Sequence, residues 1–276
     1  MKDELGNRIK NFYENRTRIL LPRRTYTIIR LDGRSFHSYT KDLQKPFDAG
    51  LMADMDETAC YLCKNIQGAK FGFVQSDEIS ILMTDFDKIG SDAWFDGNIQ
   101  KIVSVAASMA TAKFNQLRWI RYVNDRYNNP INDSDPVGWV WFMDAAKLKL
   151  AEFDARTFTI PSKTEVANML IWRQQDTVRN SISSVAQTLY SHKELDGKNM
   201  SIQQEMIHEK GQNWNDFTPQ EKRGRFIFKK EFQLETPYVA MDLMQKSYVR
   251  TCWVSDECPI FTQDMEFLYN RIPDLS

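Results

Sequence analysis

The sequence predicts an α/β (α+β) fold whose core has the order β-α-β-β-α-β, the ferredoxin-like pattern with an antiparallel sheet, followed by further helices and strands. Two observations predict it. Short segments rich in β-branched and aromatic residues alternate with long segments whose apolar residues recur at helical spacing. The chain has 276 residues, of which 42% are hydrophobic and 12% aromatic, so it is long and apolar enough for a sizeable core and is not disordered.

The core elements follow one another along the first two thirds of the chain. The segment TYTIIRL at 25–31 predicts the first strand, which ends at an Asp-Gly pair. A helix is predicted over about 48–67, where apolar side chains follow one face. The segments KFGFVQ and EISILM predict two strands joined by a tight hairpin at Ser76 and Asp77. NIQKIVSVAASMATAKFNQL predicts the second helix, and KLKLAEFDARTFTI contains the fourth strand.

The segments around this core predict additional elements. Residues 1–24 predict a basic amphipathic helix and a loop, and the turn signals at 124–136 predict a polar loop. PSKTEVANMLIWRQQDTVRNSISSVAQTLY predicts a long helix, and RFIFKKEF and SYVRTCWV predict late strands. We expect one compact domain, with an N-terminal segment at 1–24, a core at 25–187 and an extension at 188–276 that packs on the core.

Charge and targeting signals restrict the function classes. The formal net charge of −1 gives no overall attraction to nucleic acid, so any basic surface must be local. The first residues, MKDELGNRIKNFYENRTR, are charged and lack the apolar region of a secretory signal. No stretch approaches the roughly 18 uninterrupted apolar residues of a membrane span. We therefore expect a soluble, cytoplasmic protein.

The four cysteines do not suggest a disulfide scaffold in a chain of this length. Cys60 and Cys63 form a C-x-x-C inside a predicted helix, and Cys252 and Cys258 are the other two. A zinc site built from all four is one alternative. Buried thiols are favoured, because the sequence has neither a second C-x-x-C nor closely spaced histidines.

Two carboxylates interrupt the predicted strands at places that the topology brings together. Asp32 ends the first strand, and Asp77 lies in the hairpin between the second and third. In the β-α-β-β-α-β order the first strand lies antiparallel to the third, so this hairpin lies where the first strand ends. We expect the two carboxylates to meet at one edge of the sheet.

Meeting carboxylates repel each other unless a cation lies between them or one stays protonated. Magnesium suits such a site, and two ions roughly 3.5–4 Å apart stabilise the attacking and leaving oxygens of a phosphoryl displacement. The Gly33 carbonyl is a further candidate ligand, and Glu78 a supporting acid. The alternative is that Asp-Gly and Asp-Glu are ordinary solvated turns.

Four motifs make the sequence similar to a known family. RLDGRSFH, KPFD, GFVQSDEISIL and WRQQDTVRNSI follow the motif series of the histidine tRNA guanylyltransferase family. The chain most closely resembles its bacterial, archaeal and phage-type relatives, the 3′-5′ RNA polymerases. The resemblance covers about 26–187 and recurs near RFIFKKEF. It implies a polymerase-palm-like catalytic core that adds nucleotides to the 5′ end of tRNA, and a homotetramer.

The resemblance also implies roles for individual residues. Asp32, the Gly33 backbone and Asp77 would hold two Mg²⁺ ions, with Glu78 as a supporting catalytic carboxylate. Nucleoside triphosphates, including ATP and GTP, would contact Lys45, Ser76 and Lys101, and a loop would cradle a triphosphate through the backbone N–H groups of Arg34, Ser35, Phe36 and His37. The transfer RNA would contact Arg173, Arg179 and Asn180, and a structural role is the alternative for Arg173. Further candidates for RNA contact are the N-terminal arginines and the run Lys222, Arg223, Arg225, Lys229 and Lys230.

Two departures from the family pattern bear on the reaction. Members that add the extra guanylate to histidine tRNA carry His-Ile-Asn-Asn where this chain has VRNS at 178–181. Basic residues beside the WF motif of eukaryotic members are replaced by DGN at 96–98. Both departures favour template-dependent repair of 5′-truncated tRNA, with ATP activation of 5′-monophosphate ends. Addition of the extra guanylate to histidine tRNA is the alternative.

Two readings from other classes are less favoured. The palm is shared with nucleotide cyclases, which predict a Gly-Gly-Asp-Glu-Phe-like hairpin, whereas this hairpin reads Gln-Ser-Asp-Glu. A non-catalytic RNA-binding protein would not need both Asp32 and Asp77.

Overall fold

A mixed sheet-and-helix fold is seen in the computed structural model, which describes residues 3–128, 149–235 and 247–275. The strands are β1 (Tyr26–Gly33), β2 (Ala69–Gln75), β3 (Glu78–Met83), β4 (Phe153–Ile160), β5 (Arg225–Glu235) and β6 (Ser247–Glu257). They form one six-stranded sheet in the order β4-β1-β3-β2-β5-β6, and each neighbouring pair is antiparallel.

Helices lie on both faces of this sheet. They are α1 (Glu4–Phe12), α2 (Phe36–Tyr39), α3 (Ala49–Asn65), α4 (Ile99–Asn128), α5 (Lys163–Leu189), α6 (His192–Leu195), α7 (Met200–Glu209), α8 (Pro219–Arg223) and α9 (Met265–Tyr269). The order β1-α3-β2-β3-α4-β4 confirms the predicted core. None of the helices in the described ranges combines the length and the apolar character needed to span a bilayer.

Local sequence accounts for where the main helices begin. The Asp48 carboxylate accepts a hydrogen bond from the Leu51 backbone N–H at 2.6 Å and so caps α3. The Ser162 hydroxyl accepts one from the Glu165 N–H at 3.2 Å and caps α5 in the same way. The prediction of a loop over 124–136 was wrong at its start, because α4 continues to Asn128. The rest of that loop lies outside the described residues.

The late strands extend the sheet beyond the ferredoxin-like core. β5 pairs with β2 through residues 225–227, and β6 pairs with β5 along its whole length. The fourth strand begins at Phe153, later than the predicted segment begins, and residues 149–152 before it are not in a strand.

Alternate residues of each strand supply two separate apolar clusters. Ile29 and Leu31 of β1 face α3 and α4, whereas Ile28 faces α5 and the C-terminal segment. The four cysteines are free thiols, with Cys63 in the first cluster and Cys258 in the second, so the sheet separates them. No group of three or more His, Cys, Asp or Glu side chains in the described ranges is arranged to hold a metal ion. The four-cysteine zinc alternative is therefore excluded.

An aromatic cluster supports the segment that follows β1. The Phe36 ring lies 5.7 Å from that of Phe114 and 5.2 Å from that of Phe153, centroid to centroid. A Cβ atom at Gly33 would lie 2.2 Å from the Phe36 ring, so only glycine allows this approach. The cluster fixes α2 against α4 and β4.

Replacement of Phe114 by alanine tests the importance of this cluster. Phe114 is fully buried, so Phe114→Ala should lower the free energy of unfolding by about 3–5 kcal/mol through lost contacts and a residual cavity. Guanidinium denaturation followed by circular dichroism measures this change. Ile89→Ala is the control, because that side chain is 97% exposed and its truncation should change the free energy of unfolding by less than about 0.5 kcal/mol. Equal losses of unfolding free energy in the two variants would contradict the importance of the aromatic cluster.

Candidate active site

The end of β1 and the β2–β3 hairpin lie side by side at one edge of the sheet. In the β1–β3 register Asp32 is opposite Glu78. The Asp77 backbone carbonyl accepts a hydrogen bond from the Gly33 N–H at 3.2 Å. Ser76 adopts the left-handed conformation (φ 45°), which lets the chain reverse within two residues. The structure thus brings Asp32 and Asp77 together, as the predicted topology requires.

The electrostatics of this edge are unfavourable for carboxylates alone. Burial raises the pKa of Asp77 to about 6, and the negative charges of Asp32 and Glu78 contribute to the rise. The Asp32 side chain is more exposed and faces solvent. A cation bound at this edge would relieve the repulsion.

Glu78 is neutralised from within the protein. As the cross-strand partner of Asp32 it lies on the same face of the sheet, which is the face covered by α5. Its carboxylate accepts a hydrogen bond from the Arg173 guanidinium at 2.8 Å, and the Arg30 Nε lies 4.0 Å from the same oxygen. Glu78 is therefore held in place by two arginines and is not free to follow a ligand.

Arg173 is buried, which changes the interpretation of its role. Its side chain is only 7% exposed and also contacts the Asp176 carboxylate at 3.2 Å. The predicted RNA contact of Arg173 is thus not supported, because its guanidinium is enclosed between two carboxylates. Arg179 is exposed and forms an ion pair with Asp176 at 2.7 Å, and the neighbouring Asn180 is exposed as well.

A cavity of about 780 Å³ opens beside the carboxylates, a volume suited to a nucleotide-sized ligand. Its walls are α2, the loop before α3, α5 and α8. Nine of the predicted site residues line it: Asp32, Phe36, His37, Lys45, Ser76, Asp77, Glu78, Arg173 and Asn180. We call this space the site cavity.

Phosphate groups would find positive partners in the site cavity. The Lys45 ammonium is exposed at its wall, 3.5 Å from the Thr40 hydroxyl. The first turn of α2 presents backbone N–H groups that have no helical carbonyl to bond. Ser35, immediately before it, is left-handed (φ 55°), a conformation found in anion-binding nests.

Two predicted triphosphate contacts lie elsewhere. The Arg34 backbone N–H, predicted to bind a triphosphate, instead donates to the Glu152 carbonyl at 2.8 Å, and the exposed Arg34 side chain pairs with the Glu152 carboxylate at 2.6 Å. Lys101 lies near the start of α4, over the Phe95 ring at 5.9 Å. Because Phe114 of the same helix packs under α2, Lys101 is about 20 Å from that point along the helix axis. Within one chain Lys101 therefore lies at the far end of the sheet and cannot reach the site cavity.

The basic run near β5 is also partly internal. Lys222 is buried and donates to the Asn215 carbonyl at 2.6 Å. The Arg225 Nε, buried too, donates to Asp56 at 2.7 Å. These two side chains stabilise the fold and are not available to RNA, whereas Lys229 and Lys230 are exposed.

Three residues beside the carboxylates were missed by the sequence reasoning. Arg30 precedes Asp32 by two positions, so strand periodicity alone could have placed it on the same face. Arg156 of β4 lies opposite Arg30, and its guanidinium is 3.9 Å from the Asp32 carboxylate. Trp172 lines the site cavity from α5. No local signal marks Arg156, which the β4 register places, and Trp172 opens the motif WRQQDTVRNSI but only helix packing shows that it reaches the cavity.

Comparison with known proteins gives consistent matches. A family model described as "Thg1: tRNAHis guanylyltransferase" matches residues 6–161. A bacterial tRNA(His) guanylyltransferase (Thg1)-like protein solved in complex with ATP is 40% identical, with a TM-score of 0.77 over 98% of this chain and 99% of that chain. One solved in complex with GTP is 38% identical, with a TM-score of 0.71 and the same coverage of 98% and 99%. A probable tRNA(His) guanylyltransferase of Dictyostelium discoideum is 25% identical over 78% of this chain and 79% of its own length.

The raised pKa of Asp77 predicts a pH-dependent stability of the metal-free protein. Because the pKa is higher in the folded state than the ordinary 3.8, the contribution of Asp77 is fully present below about pH 4 and is lost as the pH rises through about 6. Asp77→Asn removes the buried charge. Its free energy of unfolding should exceed that of the wild type by about 2–3 kcal/mol at pH 8, and the advantage should shrink toward pH 4.

Urea denaturation with a chelator at pH 4, 6 and 8 measures this difference. Glu57→Gln provides the control, since Glu57 is an exposed acid on α3. A difference between Asp77→Asn and wild type that stays constant over the pH range would contradict the assignment.

Proposed function

The chain belongs to the Thg1 family of tRNA(His) guanylyltransferases and is a nucleotidyltransferase, and we propose that it repairs 5′-truncated tRNA by template-dependent 3′-5′ nucleotide addition. A 5′-monophosphate end is first joined to adenylate from ATP, releasing pyrophosphate. The 3′-hydroxyl of an incoming nucleoside triphosphate then attacks the activated phosphate, and adenylate leaves. Removal of pyrophosphate from the new 5′ end completes the cycle, and an RNA with a 5′ triphosphate enters at the second step.

The observation that carries this choice is the environment of Val178. Histidine occupies this position in the family motif of members that add guanylate, whereas here Val178 packs against the apolar cluster of Ile182, Val185 and Ile207. The valine offers no hydrogen bond to a specific base. Such a hydrogen bond is not required when the incoming nucleotide is selected by base pairing with the opposite strand of the acceptor stem.

The second departure from the family pattern has a structural role in this chain. Asp96 accepts hydrogen bonds from Arg23 at 2.8 Å and from Arg18 at 3.4 Å. It lies in a left-handed turn with φ values of 50° at Phe95 and 55° at Asp96. This turn anchors the N-terminal segment through ion pairs and offers no cation to a triphosphate.

The donor set at the sheet edge fits magnesium. Asp32 and Asp77 offer carboxylate oxygens, and Gly33, whose N–H donates to the Asp77 carbonyl at 3.2 Å, is a further candidate through its own carbonyl. Burial chiefly raises the pKa of Asp77, with a smaller contribution from the charges of Asp32 and Glu78, and a bound cation would offset both effects. Magnesium bound there would stabilise the charge that develops on the reacting phosphate and on the leaving group. Two carboxylates are enough for such a site, since Mg²⁺ keeps waters and substrate phosphates in its other positions.

Other groups of the chain position the triphosphate and the carboxylates. Lys45 and the first-turn N–H groups of α2 hold a triphosphate in the site cavity. Glu78, paired with Arg173 and Arg30, fixes the start of β3 beside Asp32 and Asp77. No side-chain nucleophile is required, because the attacking group is a hydroxyl of the substrate.

A homotetramer is part of the same proposal and rests on the resemblance. The apolar side chains of α1 support contact with another copy, since Leu5, Ile9 and Phe12 are exposed. ATP, GTP and tRNA are the expected ligands, in keeping with the ATP and GTP complexes of the two similar bacterial proteins.

An extension assay tests the proposed reaction. The substrate is a tRNA transcript that lacks its first nucleotide, carrying either a 5′ triphosphate or a 5′ monophosphate with ATP, in the presence of Mg²⁺ and single nucleoside triphosphates. We expect a product one nucleotide longer, formed only with the nucleotide complementary to the opposing base. Asp32→Ala and Asp77→Ala should each lower the rate at least about 100-fold.

Asp196→Ala is the matched control for these variants. Asp196 is an exposed acid after α6 that does not line the site cavity, so this variant should keep most of the activity. Addition of guanylate to full-length histidine tRNA, irrespective of template, would establish the alternative activity. A wild-type protein that extends no RNA end would refute the polymerase proposal.

A pair of lysine variants locates the triphosphate. Lys45→Ala should raise the KM for the nucleoside triphosphate by about 10-fold, because an ammonium contact to phosphate is lost. Lys101→Ala should leave this KM unchanged if the triphosphate is held within one chain. Steady-state kinetics with RNA in excess measure both values, and a rise for Lys101→Ala alone would contradict this placement.

A further inference from the structure

We propose that the Trp172 indole is a stacking platform for a base at the 5′ end of the RNA, on the side of the carboxylates opposite the triphosphate. This inference rests on the proposed nucleotide addition to RNA and specifies how the RNA end is held. The platform is one aromatic ring together with the arginines beside it.

The exposure of Trp172 is the first observation. The side chain belongs to a helix that packs on the sheet, yet it is 46% exposed. Its immediate neighbours Arg173 and Gln174 are buried. The exposed indole therefore lies in a well-packed part of the helix, and it lines a cavity that Asp32 also lines.

Arginines hold the ring in place. The Arg173 guanidinium lies 3.7 Å from the indole centroid, a stacking distance, and that of Arg30 lies 5.8 Å away. Both arginines are fixed in turn, because each approaches the Glu78 carboxylate. The orientation of the indole is thus set before any ligand arrives, and the exposed part of the ring remains free for a planar group.

The position of Trp172 separates it from the triphosphate groups. Asn180, which lines the site cavity beyond the sheet edge, lies eight residues further along α5, about 12 Å along the helix axis. Phe47, next to Lys45, packs against the last turns of α5, with Phe217. Trp172 instead lies beside Arg30 of β1, two residues before Asp32, with the Arg30 guanidinium 5.8 Å from the indole centroid. Asp32 and Asp77 therefore lie between Trp172 and the triphosphate groups.

A phosphate contact is available next to the ring. Arg156 of β4 is the cross-strand partner of Arg30 and is about half exposed. Its guanidinium points toward Asp32, at 3.9 Å. A terminal nucleotide could stack its base on Trp172 and place its phosphate between Arg156 and the carboxylate edge. Base stacking on an aromatic ring accepts every base, which suits an enzyme whose choice of nucleotide comes from the template.

Fluorescence of 2-aminopurine tests the platform without relying on turnover. The probe is the truncated tRNA transcript with 2-aminopurine as its 5′-terminal base, titrated with the full chain in the absence of Mg²⁺. Stacking on Trp172 should quench the fluorescence when the RNA binds. Trp172→Leu should abolish the quenching and weaken RNA binding about 5- to 100-fold, whereas Trp172→Phe should retain most of both.

Two controls separate stacking from other effects. Trp119→Ala removes a tryptophan of similar exposure, 40%, on α4 and should change neither quenching nor affinity. An unchanged midpoint of thermal unfolding for Trp172→Leu shows that the fold is intact. Should that variant unfold, Trp172→Met replaces it as the side chain without a ring in the comparison with Trp172→Phe. A transcript labelled in the anticodon loop should show no Trp172-dependent quenching.

Three results would overturn the inference. One is wild-type quenching and affinity in Trp172→Leu. Another is equal loss in Trp172→Phe and Trp172→Leu, which would assign the ring a packing role through Arg173. The third is weaker nucleoside triphosphate binding with unchanged RNA affinity, which would place the base of the incoming nucleotide on the ring. If the wild type quenches the probe but extends no RNA, the proposed reaction fails while the platform stands.

Discussion

The antiparallel pairing of β1 with β3 is the constraint on which the site depends. It sets Asp32 opposite Glu78 and leaves Asp77 in the turn one residue away. Three carboxylates thus share one sheet edge, where burial and repulsion raise the pKa of Asp77. Arginines from β1, β4 and α5 partly balance this negative charge, and the adjoining site cavity leaves space for a cation and its phosphate ligands.

The arginines beside these carboxylates come from elements that are far apart in the chain. Arg30 belongs to β1, Arg156 to β4 and Arg173 to α5, and all three lie within 4.0 Å of a carboxylate of this edge. A buried ion pair contributes little net stability, because desolvation offsets the attraction, but loss of one partner leaves a buried charge. The Arg173–Glu78 pair therefore acts chiefly to fix where α5 crosses the sheet, and with it the position of Trp172.

Apolar packing sets the other wall of the site. Phe36 enters the aromatic cluster of Phe114 and Phe153, and this contact requires a glycine at position 33. The first turn of α2 is thereby held beside the carboxylates with its N–H groups free of helical partners. Gly33 leaves room for the Phe36 ring, and its backbone N–H also donates to the Asp77 carbonyl, which links β1 to the hairpin. Packing and charge thus converge on the end of one strand.

The sequence by itself determined the order of the core elements and the meeting of Asp32 and Asp77, because hydrophobic periodicity and turn signals are local and the β-α-β-β-α-β order fixes which strand ends meet. The four sequence motifs, which are local as well, indicated the family. Only the tertiary structure decided which basic side chains are available to bind a ligand. Arg173, Lys222 and Arg225 resemble surface charges in the sequence, yet each is buried beside an oxygen supplied by another part of the chain. Lys101 and Trp172 were likewise placed by helix packing, one far from the site and the other next to it. Whether a charge is solvated, paired or within reach of a ligand depends on contacts between distant segments, and no local pattern records those contacts.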